Sequence, residues 1–233
     1  MTASKASVSP DESAYYQHSG SVPLASRISL HVRRKMFRLF MDALKPTAAT
    51  TILDVGVTSD SSHPESNYFE KLYPYPNRIT CVGTEDGSHL MKEYPGLRYL
   101  QVVTGQRLPF KDHEFDIVFS NAVLEHVGSR EDQARFITEL RRVSGAFFIT
   151  TPNRWFPFEH HTGLPFLHYL PPSVFRALIR NTRYRYWADE ANLNILTASG
   201  MAKLFPGVGT HIETVRALGI GSNLVAYGIS GID

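Results

Sequence analysis

Glu125 and His126 stand side by side in the run NAVLEHV, and this pair carries the most direct chemistry the chain offers. A histidine of near-neutral pKa can take a proton from a hydroxyl or an amine, and a carboxylate beside it can help to hold the molecule that loses that proton. The same two residues also suit a structural cap or loop contact. A second concentration lies in residues 151–172, TPNRWFPFEHHTGLPFLHYLPP, a stretch too long for an ordinary connection. His160 and His161 follow Glu159 there, but the HExxH spacing is missing and no cysteine is near, so no metal is expected. Aromatic residues mixed with a few polar ones suit a pocket or lid for an organic molecule, with Asn153, Trp155, His160 and His161 as its contacts. Plain packing of an irregular segment is the other reading. A third stretch, ILDVGVTSDSSHPESN at residues 52–67, ends an apolar run on Asp54 and Gly56 and then turns polar.

Those residues need elements to position them. From Ser26, a candidate N-cap, the apolar residues Ile28, Val32, Met36, Phe40 and Leu44 return every fourth position until Pro46, which predicts one helix with a single buried stripe. Arg33, Arg34, Lys35 and Arg38 are expected on its solvated face. Short apolar runs then alternate with helical stretches. TILDVG, RITCVG, LRYLQVV, FDIVFS and AFFITT read as buried strands, and SNYFEKLY, SHLMKEY and SREDQARFITELRRV as helices. In the last of these Ser129 and Asp132 have capping-box spacing, Glu131 and Arg135 are four apart, and Gly145 can end the helix. Strand and helix in alternation predict an α/β fold, a parallel sheet with helices on both faces. THIETVRALGI and SNLVAYGIS, joined at Gly221, predict a C-terminal antiparallel hairpin at the sheet edge.

Composition sets the outer limits. With 233 residues, 42% hydrophobic and 20% charged, the chain can bury one sizeable core, and the expected layout is a tail over residues 1–23 followed by one domain over 24–233. The formal charge of +2 comes from scattered Lys and Arg, which makes nucleic acid an unlikely partner. The single cysteine, Cys81, excludes an internal disulfide and suits a reducing cytoplasm. No apolar stretch is long enough for a membrane span or for a signal peptide at the N-terminus.

The order of elements, the ILDVG start, the block FDIVFSNAVLEHV and the closing hairpin together resemble the class I S-adenosylmethionine-dependent methyltransferases, of the type 11 kind, over roughly residues 26–230. That resemblance implies a Rossmann-like, doubly wound, mostly parallel sheet and S-adenosyl-L-methionine as cofactor. It implies a methyl transfer to a small organic, lipid-linked or glycan acceptor. Residue by residue, it gives Asp54, Gly56 and Thr58 to the first cofactor loop and Glu85 to the ribose hydroxyls. Gly105 and Gln106 fall to the adenine-side turn, and Asn121 and Ala122 to the methionine part. Glu125, Asn153, Trp155, His160 and His161 fall on the acceptor side, with His126 as the residue that takes the acceptor's proton. The chain departs from the family pattern in two places. Thr58 and Asp60 stand where DxGxGxG has glycines, and Gly83 stands near the position of the usual acid at the end of strand two. Asp60 is a residue type that tolerates a left-handed backbone. A nicotinamide-dependent oxidoreductase would need GxGxxG after the first strand, which residues 54–60 do not supply. A non-catalytic binding or scaffold protein on the same fold remains the alternative.

Overall fold

Helix α1 (Pro23–Leu44) forms on the stripe read from the sequence. Val32, Met36 and Phe40 are buried, and Ile28 and Leu44 pack at the margins of the same cluster. Phe40 sits edge-on to Phe69, Phe119 and Phe148, with centroids 5.1, 5.8 and 5.4 Å away. Such pairs each add about 0.5–1.5 kcal/mol beyond area burial. The helix starts at Pro23, ahead of Ser26; proline suits a first turn, where its missing N–H would have no intrahelical acceptor. This computed structural model describes residues 23–60, 65–206 and 209–230. The expected tail lies outside them except for Pro23, as do Ser61, Ser62 and His63 of the polar run.

Seven strands form one sheet in the order β3-β2-β1-β4-β5-β7-β6. Strands β1 (Ile52–Val55), β2 (Ile79–Gly83), β3 (Arg98–Gln101), β4 (Phe115–Asn121) and β5 (Ser144–Pro152) are parallel. Strands β6 (Thr210–Ala217) and β7 (Ile220–Ile229) close it antiparallel. Side chains alternate between the two faces. Ile52, Ile117, Phe119 and Phe148 join the cluster under α1, and Leu53, Val118, Phe147 and Ile149 join a second cluster on the other face. That second face is covered by α4 (Arg130–Val143) and α6 (Ala198–Leu204), which contribute Ile137, Leu140 and Met201. The short helices α2 (Tyr68–Leu72) and α3 (Leu90–Glu93) follow β1 and β2. The chain leaves β1 toward β2 on one side and returns through β4 on the other, so the switch point lies between β1 and β4. Ligands of such sheets bind beyond the carboxyl ends of the strands at that point.

Some local expectations need correction. The hairpin turns at Leu218 and Gly219, with φ of 49° and 85°, and Ala217 pairs with Ile220. Two left-handed residues make the tight turn whose twist matches the strands; Gly221 lies inside β7, where an added Cβ would meet Thr214 Cγ2 at 2.6 Å. The Ser129–Asp132 capping box is present, but Arg135 pairs with Asp132 instead of Glu131, and α4 ends at Val143, with Ser144 as its cap in place of Gly145. The segment after β5 builds a small core of its own, with Phe175 and Ile179 of α5 (Pro172–Ile179) packed near Tyr184, Trp187 and Leu193. No helix among the described residues is long and apolar enough to cross a membrane.

Candidate active site

A cleft of about 210 Å³ opens at the switch point. Asp54, Gly56, Thr58, Asn121 and Ala122, all expected around a cofactor, lie on its wall, together with Asn67, Tyr68, Glu70 and Arg33. Gly56 is required by geometry. Its φ is +98°, and a Cβ there would lie 2.1 Å from Val123 Cγ2. The N–H groups of Gly56 and Val57 both donate to Val82 O, at 2.8 and 3.3 Å, which pins the loop across the end of β2. That crossing accounts for Gly83: a Cβ at this position would meet Val57 O at 2.9 Å and Tyr99 Oη at 3.1 Å. An acid at the usual place would collide with the first loop.

The two missing glycines have a similar local explanation. Among the described residues, positive φ outside glycine is confined to Lys45, Asn67, His113, Ala122, Phe166 and Leu218, so neither Thr58 nor Asp60 adopts the left-handed backbone expected of Asp60. Asn67 adopts it instead, at φ 47° and ψ 43°. Its side chain clamps the loop: Thr58 N–H donates to Asn67 Oδ1 at 3.1 Å, and Asn67 Nδ2 donates to Thr58 O at 2.9 Å. Thr58 Oγ1 accepts from Asp60 N–H at 3.1 Å. Side-chain hydrogen bonds thus set a path that glycines set elsewhere by backbone freedom. Asn67 escaped the sequence reading because its partner is nine residues away in a loop without periodicity.

Arg33 corrects the view of α1 as a helix with a wholly solvated basic face. It is half-buried on the cleft wall, donates to Glu65 O, and lies 5.5 Å from the Tyr68 ring centroid. Beneath it the Asp54 and Glu70 carboxyls meet in a hydrogen bond that needs a shared proton. Burial first, then the Glu70 charge and that bond, push the Asp54 carboxyl well above its ordinary range. The Cys81 thiol donates to Glu70 Oε1 at 3.2 Å from below; burial, then the two acids, push it up as well.

Other expected cofactor residues sit outside the cleft wall. Glu85 is exposed and accepts from Ser59 Oγ at the loop's rim, while Asp86 Oδ1 accepts from Ser88 N–H at 2.9 Å in the local turn. Gly105, with φ of 75°, and Gln106 form an exposed turn in which Gln106 N–H reaches Val103 O at 3.3 Å. Leu108 is buried as packing.

A second set of groups gathers where the segment after β5 folds back over β4. Glu125 and His126 lie in a single 3-10 turn, Leu124–His126. Glu125 is fully buried; Thr151 Oγ1 donates to its Oε2 at 2.9 Å, and its Oε1 has no hydrogen-bond partner. His126 Nδ1 is 2.7 Å from Asn192 O, and His126 Nε2 is 3.1 Å from His161 Nε2. His161 Nδ1 is 2.6 Å from Glu159 Oε1, which also accepts from the His161 N–H at 2.9 Å. Trp187 packs against both imidazoles, at 5.8 and 4.7 Å between centroids.

Burial first, then the His161 charge, lower His126 to about 3. Burial would lower His161 also, but the Glu159 charge and hydrogen bond outweigh it and raise that imidazole above its ordinary value. Burial raises Glu125 to about 7 against the pull of His161. Glu159 stays far below the carboxylate range because His161 and its hydrogen bonds overcome its burial.

The remaining expected acceptor residues divide. His160, an exposed residue, stacks its ring on Phe156 at 5.4 Å, and Trp155 is exposed against Tyr169. Asn153 is a staple: its Nδ2 donates to Gly221 O at 3.0 Å and its Oδ1 accepts from Trp155 N–H at 3.1 Å. The pairing of His126 with His161 had no signal in the sequence beyond the residue types.

This sheet order, with a switch-point cleft and a closing antiparallel pair, defines a Rossmann-like methyltransferase fold. Part of the chain is similar to S-adenosylmethionine-dependent methyltransferases. Residues 65–149 match the methyltransferase domain family. Two Mycobacterium tuberculosis proteins, each called a probable S-adenosylmethionine-dependent methyltransferase, are 37% identical over 70 residues, which is 29% of this chain. The chain matches only 24% of the length of these curated relatives. Among solved structures, 1,6-didemethyltoxoflavin-N1-methyltransferase of Burkholderia thailandensis, with its substrate and S-adenosylhomocysteine bound, superposes with TM-score 0.56 at 15% identity, covering 87% of this chain and 79% of that one. An S-adenosylmethionine-dependent methyltransferase of Mesorhizobium loti gives 0.55 at 14% identity over 83% and 97%. At these identities the structures speak for the fold.

Proposed function

We propose that the protein is a methyltransferase that binds S-adenosyl-L-methionine in the switch-point cleft and passes its methyl group to a small organic, lipid-linked or glycan acceptor in the cytoplasm. The observation that carries this reading is the cleft itself, where Asp54, Gly56, Thr58, Asn121 and Ala122 converge from the ends of β1 and β4. The cofactor likeness is supported by the Mycobacterium tuberculosis relatives and by the S-adenosylhomocysteine in the Burkholderia enzyme. Arg33 supplies a cation for the cofactor's carboxylate, and Glu85, Gly105 and Gln106 are assigned to the open side on the order of elements.

Methyl transfer from a sulfonium is an in-line displacement, so the protein's main task is to hold donor and acceptor close and aligned. The methyl carbon bonds to the acceptor as the sulfur takes back its electron pair, and S-adenosylhomocysteine leaves. An acceptor hydroxyl or amine also gives up a proton, and His126, while its Nε2 holds no cation, is the group we assign to receive it, with Glu125 beside it. Trp155, Asn153, His160 and His161 belong to the wall on the acceptor side. Titration calorimetry with S-adenosylhomocysteine and, separately, NADH tests the reading. Binding of the first alone, weakened by Asp54→Ala, is the expected result. Silence with both would leave a scaffold on a methyltransferase fold.

A further inference from the structure

The Glu125, His126 and His161 side chains have a geometry that a proton relay alone does not require. Both histidines offer Nδ1 to an oxygen, Asn192 O at 2.7 Å and Glu159 Oε1 at 2.6 Å. Each of those oxygens can only accept, so each Nδ1 carries a proton, which leaves the two Nε2 atoms facing each other at 3.1 Å. With both imidazoles neutral, two lone pairs at that distance repel unless a proton or a metal cation lies between them. Glu125 directs Oε1, fully buried and without a hydrogen-bond partner, toward the same point, 3.8 Å from His126 Nε2. The three donor atoms all lie within 4.8 Å of one another.

We infer that Glu125 Oε1, His126 Nε2 and His161 Nε2 form a binding site for one divalent transition-metal cation of the zinc or cobalt type. Nitrogen ligands at about 2.0–2.1 Å on a tetrahedral ion stand roughly 3.3–3.4 Å apart, so the two imidazoles need to part only slightly, and Glu125 closes by a small turn of its carboxylate. Two imidazoles and one carboxylate suit a borderline first-row ion better than magnesium or calcium, which take oxygen.

The shell behind the ligands is that of a metal site. A carbonyl and a carboxylate orient the histidines, and Thr151 Oγ1 fixes the other Glu125 oxygen at 2.9 Å. Charge agrees: Glu125 and Glu159 are 0% and 2% exposed, and a dication balances both. Three protein ligands leave one position open, as in catalytic rather than structural sites. An oxygen of the acceptor fills it, which selects acceptors that carry a hydroxyl or carboxylate next to the methylated atom. That last step rests on the methyltransferase reading; the binding of the cation does not.

The test uses the full chain, freed of metal by chelation, with Zn²⁺ and Co²⁺ titrated by calorimetry and Co²⁺ also followed by its visible absorption. The expected result is one equivalent bound, with a tetrahedral-type Co²⁺ spectrum. His161→Ala and the near-isosteric Glu125→Gln should each abolish that equivalent, and Glu159→Gln, which only orients His161, should weaken it by about 10–100-fold. Each sample is also titrated with S-adenosylhomocysteine. That ligand occupies the Asp54 cleft, so its binding shows that the variants are folded and tests the cofactor reading separately. Absence of a stoichiometric cation in the parent, or binding that survives both His161→Ala and Glu125→Gln, overturns the site. Cation binding without S-adenosylhomocysteine binding would keep the site and overturn the methyltransferase reading.

Discussion

Gly56→Ala is the sharpest test of how the loop after β1 is built, because both of its costs can be located. At φ +98° an alanine leaves the allowed regions, and the new Cβ lies 2.1 Å from Val123 Cγ2. Holding a non-glycine residue in such a backbone costs about 1–3 kcal/mol, and forcing a methyl into occupied space costs about 1–3 kcal/mol more. The expected loss of stability is therefore about 2–6 kcal/mol, a large share of the roughly 5–15 kcal/mol that holds an ordinary domain together. Val123→Ala in the same chain removes the colliding atom but leaves the backbone strain. The double variant should thus regain only the steric part, a coupling of about 1–3 kcal/mol between the two sites. Urea unfolding of the parent, both single variants and the double variant gives this cycle, and S-adenosylhomocysteine titration of each shows whether the loop keeps its path. A Gly56→Ala protein within about 0.5 kcal/mol of the parent, the range of bland surface changes, would show that the close approach to Val123 does not exist. A cycle without coupling would show that Val123 is not the obstacle.

Asn67→Ala should lower stability by about 1–3 kcal/mol by removing the clamp on Thr58 and should weaken S-adenosylhomocysteine binding; Asn67→Gly keeps the left-handed backbone, so equal binding losses in the two variants would assign the effect to the hydrogen bonds, and unchanged binding in both would refute the clamp. Asp54 makes stability depend on pH with a definite sign. Its folded pKa is raised, so below the ordinary carboxylate value both states are protonated and nothing changes. As pH climbs from there toward the raised value the unfolded chain ionises first, and the folded state loses relative stability. Glu70→Gln removes the neighbouring charge and should flatten that slope in thermal melts from mildly acidic to mildly alkaline buffer; a steeper slope would refute the shared proton.

Most of the fold was legible because it rests on local pattern. The four-residue return of Val32, Met36 and Phe40 predicts α1, and the apolar runs predict the position of every parallel strand, but β3, expected to be buried, lies at the sheet edge with Arg98, Leu100 and Gln101 exposed. The hairpin was legible as an element but not at its turn, since a leucine at φ 49° gives no sign in the residue type, and Gly221 drew the reading toward itself for a packing reason. Asp54 and Gly56 on the cleft side were legible as types, whereas Glu70 was not. Their neighbours were not: Arg33 looks like any exposed base on a helix, and only the tertiary approach of α1 to Glu65 and Tyr68 turns it inward.

The glycine-poor loop shows where reading by motif stops and reading by mechanism must take over. A glycine at the position of Thr58 or Asp60 is needed only if the backbone there is left-handed, and in this chain it is not. Among the described residues that follow Gly56 in this stretch, the left-handed backbone falls at Asn67, a residue type that tolerates it and whose amide can both donate and accept. Loss of the glycines and the presence of Asn67 are then one change seen at two places. It follows that restoring the family residue alone should not help: Thr58→Gly removes the hydroxyl that accepts from Asp60 N–H and frees the backbone without supplying a need for it. The variant should be less stable and bind S-adenosylhomocysteine more weakly than the parent. Tighter binding would mean that the loop is a damaged form of the usual one, where the hydrogen bonds argue for a different solution to the same problem.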